Sequence, residues 1–173
     1  MAVNAPESSP QPEPWLRGPI AQVHPLVMPV FFSFAQVRED LAKYTAGLSR
    51  EQIWQRIGKA SLGFHLKHLA GSVDRLATYL TGNQLSEEQL RFLREESEGA
   101  EDIQELLQMV NVMLAAAEER LRMVDPNSLY EKRTVGRKEL PTSVIGLLVH
   151  IAEHAQRHLG QAVTLSQIVR QKT

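Results

Sequence analysis

The chain has 173 residues, a formal net charge of -1 and no cysteine. It therefore has no disulfides, no thiolate zinc sites and no cysteine nucleophile, and its overall charge gives it no reason to seek nucleic acid or an anionic membrane. With 43% hydrophobic and 23% charged residues, the length suits one domain with a sizeable core. No apolar run approaches the roughly 20 residues that span a bilayer, and the N-terminus lacks a basic-then-apolar leader pattern, so a cytoplasmic protein is expected.

Residues 1–14 carry Pro6, Pro10, Pro12 and Pro14 among small polar residues, too little apolar surface to order themselves, and are expected to be a flexible tail before a single domain over 15–173. The next stretch, with Trp15, Ile20 and Val23 between prolines, suits an arm packed on that domain. Leu26, Val30, Phe34, Val37, Leu41 and Tyr44 then mark one helical face, which predicts a first long helix over 27–46, stopped by Gly47. Ser49 with Gln52 forms a capping-box pattern, predicting a short helix over 50–56.

A second long helix is predicted over 61–81 from Leu62, Leu66, Leu69, Val73, Leu76 and Leu80, ended by Gly82 and Asn83. Ser86 and Gln89 repeat the capping box before a short helix over 87–95. The acidic run 95–101 is expected to be a solvated connection into the next helix N-terminus, where negative charge is favourable. The third long helix is predicted over 102–124, with Asp125 and Pro126 stopping it. Residues 127–141 lack a helical period and suit a loose turn or short hairpin. The basic residues there, Lys132, Arg133, Arg137 and Lys138, are bordered by Glu131 and Glu139 and lack an aromatic row, so no nucleic-acid partner is expected. Thr142 or Ser143 caps a last helix running to Arg170. Four long amphipathic helices with short connecting helices predict an all-α four-helix bundle. Spare apolar surface on such a bundle would allow a homodimer.

The last helix carries the feature that points to chemistry. Its stripe of Val144, Leu147 and Ile151 resumes at Leu165 and Ile168, and the same rhythm through the gap falls on His154, His158 and Gln161. Two imidazoles four residues apart share one helical face, and burying both unpaired is costly, a cost that a shared metal ion removes. His150, Glu153 and His154 also match H-x-x-E-H, a zinc-protease pattern. Only 19 residues follow His154 and none is Asp or Glu, so the downstream acidic ligand of such enzymes is missing, and His150 is expected to flank the site. A ferritin-like di-iron site is excluded because no Glu has a His three residues later.

The third ligand should come from the second long helix, where the residues point two ways. The apolar stripe places His65 nearer the core, whereas His68 heads its own row of Ser72, Arg75 and Tyr79, which reads as a pocket wall. Positions three apart differ by only about 60° around a helix, so both could approach one site.

Two segments resemble a known family: residues 63–72, GFHLKHLAGS, and residues 154–161, HAQRHLGQ. The resemblance is to the DinB-like or YfiT-like metal-dependent proteins, and it covers residues 26–170. It implies a four-helix bundle in which a His directly before Leu-Ala on the second helix joins a His-x-x-x-His pair on the fourth, hence the ligand set His68, His154 and His158. His65, His150, Gln161, Ser72 and Arg75 would then support the ligands or line the pocket. Leu159 stands where relatives often carry Arg. Three neutral imidazoles around a divalent ion, zinc or nickel, leave an open position, the layout of a catalytic rather than a closed structural site. The resemblance implies a metalloenzyme acting on a small molecule, with thiol-dependent transfer using a low-molecular-weight thiol as its specific chemistry. The alternative is a non-catalytic metal-stabilised binding or stress-response module.

Overall fold

A computed structural model describes residues 11–171. Most of the expected tail therefore lies outside the described residues; Pro14 itself is buried in a 3-10 turn, Pro14–Leu16. Six helices follow: α1 (Met28–Thr45), α2 (Arg50–Trp54), α3 (Leu62–Leu80), α4 (Glu87–Glu95), α5 (Ile103–Arg122) and α6 (Val144–Gln171). The stretch expected to be a loose turn or hairpin forms β1 (Lys132–Val135) and β2 (Leu140–Ser143), paired antiparallel.

Local chemistry sets the helix boundaries. Ser49 and Ser86 each form complete capping boxes, with Gln52 and Gln89. Asp102 does the same with Glu105, and Ser61 accepts the Phe64 N–H. At the start of α6 it is the Ser143 hydroxyl that accepts the Gly146 N–H, at 3.2 Å. Each such cap is worth about 1 kcal/mol.

In the bundle, α6 packs on α1 and α3, and α5 packs on α3 and α1. Cross-helix bonds give the directions. Ser33 meets Gln156 while Arg170 reaches Tyr44, so α1 and α6 run parallel. Arg38 pairs with Glu118 while Arg122 stacks on Phe31, so α1 and α5 are antiparallel. His65 meets His158 and His68 meets His154, so α3 and α6 are antiparallel. The long helices thus alternate in direction around the ring only at the α1–α5 and α3–α6 seams. Phe34, Leu41, Leu66, Leu69, Leu106, Leu114, Leu148 and Ile151 are fully buried between them. Truncating any of them to Ala should cost about 2–5 kcal/mol.

The structure corrects one expectation drawn from periodicity and one drawn from charge. The buried stripe of α6 continues through Ala155, Leu159 and Ala162, whereas His154 is half-buried and Gln161 exposed. His158 is buried with that stripe, while His154 sits on the shoulder of the helix that faces α3. The segment after α4 is not uniformly solvated either, because Glu96 is only 2% exposed. In the N-terminal arm, Val23 is buried and Arg17 pairs with Glu39, while Trp15 stays exposed. His24 is exposed and far from the other histidines in role, its Nδ1 accepting the Leu26 N–H. Among the described residues no helix is long and apolar enough to cross a membrane.

Candidate metal centre

One ligand nitrogen each from His68 on α3 and His154 and His158 on α6 lie within 4.8 Å of one another. The two helices supply them because they run antiparallel at this level, which sets position 68 opposite 154 and position 65 opposite 158. The Nε2 atoms of His68 and His154 face each other at 3.2 Å. Two nitrogens at zinc–nitrogen distances from a tetrahedral ion would lie about 3.3 Å apart, so this bite suits a shared divalent cation.

Proton placement is set by the partners. Glu96 Oε2 lies 2.7 Å from His68 Nδ1, and Glu96 Oε1 takes the Arg75 Nη1 donor at 2.6 Å. An ionised carboxylate only accepts, so His68 carries its proton on Nδ1 and presents the Nε2 lone pair to the cluster. His158 Nδ1 is 3.0 Å from His65 Nδ1, which leaves Nε2 as its free ligand atom. Among the described residues, His154 Nδ1 is buried with no hydrogen-bond partner. Its other nitrogen faces the His68 ring, so among the described residues this imidazole keeps one unsatisfied nitrogen.

Burial also selects the ligating protonation state. It lowers the His154 pKa to about 4 and the His158 pKa to about 3, with the nearby His68 ring adding to both effects. Burial likewise lowers His65, again with a contribution from His68. Neutral imidazoles are the form that binds metal. Three imidazole donors, one of them backed by a buried carboxylate, fit a metal ion.

A sequence model of the DinB superfamily matches residues 33–162, a span that begins in α1 and holds every histidine of the cluster. The chain belongs to the DinB superfamily. No curated protein matches the chain closely enough to add a named relative. For this DinB-superfamily chain, the all-α bundle and a three-His group able to hold a metal ion stand together.

The remaining residues singled out from sequence fall in several places. His65 is buried beside the cluster and bonded to His158. His150 is exposed and pairs with Glu153, which also binds Arg157. Gln161 is exposed and, with Lys59, His65 and Arg157, lines a hollow next to the cluster. Along the row below His68, the Ser72 hydroxyl returns to the Leu69 carbonyl of its own helix, while Arg75 is clamped to Glu96 and lines a cleft with Asp74, Thr78 and Gln89.

Glu96 is the residue contacting the cluster that the sequence reading missed. It lies one position past α4 in an acidic run, where solvation is the ordinary reading. One sequence signal did exist. Gly71 falls between His68 and Arg75 on the same face of α3, and a Cβ there would come within 2.6 Å of Glu96 Oε1 and 2.7 Å of Arg75 Nη1. A glycine inside a helix costs about 1 kcal/mol relative to Ala, and here it makes room for a side chain arriving from elsewhere.

Proposed function

We propose that this chain is a metal-dependent protein of the DinB superfamily that holds a divalent ion, zinc or nickel, through His68, His154 and His158. The observation that carries this reading is the facing pair of Nε2 atoms at 3.2 Å with a third histidine nitrogen in reach. The reading extends to a metalloenzyme acting on a small molecule in the cytoplasm, with a low-molecular-weight thiol as cosubstrate. When bound, an ion with an open position would activate a water, thiol or carbonyl by Lewis acidity.

The chain's own residues have definable tasks in this scheme. Glu96 backs the remote nitrogen of His68, and Phe64 stacks on the His68 ring with centroids 5.4 Å apart. His65 partners the remote nitrogen of His158 and forms part of the wall of the neighbouring hollow. Lys59, Arg157 and Gln161 around that hollow would orient the substrate.

A second reading, a non-catalytic binding or stress-response module, is favoured by the state of the nearby acids. Glu153 is engaged by Arg157 and His150, Asp74 by Gln89 and Arg120, and Asp40 by Gln36. Glu96 faces the remote nitrogen of His68. Each of these acids therefore already has a partner, and none stands free as a general base.

His154→Ala or His158→Ala should abolish stoichiometric metal binding in elemental analysis. Full metal content in either variant would remove the site. His68→Ala should weaken binding far more than His65→Ala, and equal losses would show that the third ligand is misassigned. Screening the metal-loaded protein with thiols and electrophiles separates the two readings, since persistent inactivity across classes favours the binding module.

A further inference from the structure

The segment after α4 crosses the outer face of α3 and is tied down at three points. Glu96 reaches His68 and Arg75. The Glu98 carbonyl and the Glu101 carboxylate both take the buried Lys67 ammonium, at 2.8 and 3.1 Å. The Glu101 carbonyl accepts the Trp54 indole N–H at 2.9 Å, and the Trp54 ring lies against the face of α3 at Gly63. Gly71 removes the side chain that would block Glu96 from α3. The carboxylate is thus delivered to the remote edge of His68 by a built arrangement and then shut away from water.

We infer that Glu96 is a positioning residue for the metal centre, and that the Arg75–Glu96 pair decides which nitrogen of His68 is free to bind metal. The inference rests on His68 being a ligand. Its logic is the donor inventory. Glu96 presents two acceptor oxygens, one to an obligate donor, Arg75, and one to His68 Nδ1, so the proton must be on Nδ1. A glutamine in the same place has one oxygen and one NH2 group. Arg75 can only donate, so it takes the oxygen, and the NH2 turns toward His68 Nδ1. His68 must then accept there and carry its proton on Nε2, the nitrogen that faces His154. An isosteric change that touches no ligand nitrogen would therefore switch off a ligand.

The same logic predicts a rescue. Arg75→Met removes the donor that claims the amide oxygen, so the side chain introduced by Glu96→Gln can turn that oxygen back to His68 and restore the Nδ1–H tautomer. The test uses the full chain as wild type, Glu96→Gln, Arg75→Met and the double variant, with thermal unfolding to confirm folding. Long-range proton–nitrogen correlation on the metal-free proteins reads the tautomer, and chelator competition reads zinc affinity. The expected result is Nε2–H on His68 and roughly 10- to 100-fold weaker zinc binding in Glu96→Gln, with most of both changes reversed in the double variant. Wild-type affinity and an unchanged tautomer in folded Glu96→Gln would overturn the role while leaving the metal site standing. A loss that Arg75→Met does not recover would mark Glu96 as a packing residue only. Failure of the wild-type chain to bind zinc or nickel would overturn the metal reading and, with it, the role given to Glu96.

Discussion

Asp74 and Arg75 are neighbours on α3, yet they anchor two unlike polar networks. Asp74 takes the Gln89 amide at 2.6 Å and Arg120 at 3.1 Å, and Thr78 shares both donors. Its partners lie along a cleft between α3, α4 and α5, and the Arg120 side chain is 38% exposed. Arg75 instead joins a side chain only 2% exposed, Glu96, whose second oxygen is on an imidazole of the His cluster. The first network closes on itself and needs nothing further. The second leaves a lone pair aimed at two other histidines. The difference shows that a buried ion pair next to a ring nitrogen can define a site, whereas a half-exposed one a residue away only joins helices.

The sharpest way to break the comparison is to remove each acid. Glu96→Ala leaves Arg75 buried without its partner and should cost about 3–5 kcal/mol in urea unfolding of the metal-free chain. Asp74→Ala leaves Arg120 able to reach water and should cost about 1 kcal/mol or less. Similar costs would mean that burial does not distinguish the networks.

Acid should expose the histidine side of the comparison next. His154 and His158 are lowered in the folded chain to about 4 and about 3, against about 6.5 when unfolded. Between those values the unfolded chain binds more protons, so stability is fully present above about pH 6.5 and is lost as pH falls toward the folded values. Thermal unfolding of the metal-free protein should show this decline, and His158→Gln should flatten it. An equally steep decline in that variant would place the acid sensitivity elsewhere.

Two helix glycines test the seat of Glu96, one expected to destabilise and the other to stabilise. Gly71→Ala puts a methyl within 2.6 Å of the Glu96 carboxylate and the Phe92 ring, and should lower stability by about 1–3 kcal/mol as those side chains shift. At Gly160 a Cβ meets nothing within 4 Å, so Gly160→Ala should raise stability by about 0.5–1 kcal/mol. A stabilising Gly71→Ala would show that the seat for Glu96 is looser than its contacts imply.

Much of the fold was legible locally because capping and periodicity act over a few residues. The short helix α4 occupies the range that its Ser86 capping box marks, and α3 and α5 end within two residues of their predicted limits. The histidine pair was legible too, since residues four apart on a helix share a face wherever the helix packs. The choice between His65 and His68 came through family resemblance, because both lie on the side of α3 that meets α6. Periodicity placed His158 correctly on the buried face of α6 but misjudged the positions on either side, reading His154 and Gln161 where Ala155 and Ala162 are buried. A 3-4 rhythm interrupted by polar residues can be continued along two adjacent tracks, and only the neighbouring helix selects one.

The sequence by itself therefore determined the helices, their caps and the spacing that puts two imidazoles on one face, since these follow from bonds and angles within a turn or two of chain. Only the tertiary structure decided what those imidazoles meet. The antiparallel seam of α3 and α6 brings position 68 to 154 and position 65 to 158. The strap after α4 brings Glu96 across 28 residues to the far side of His68. Such pairings depend on how separate helices pack, and an acidic residue in a charged run carries no local mark that it will be buried.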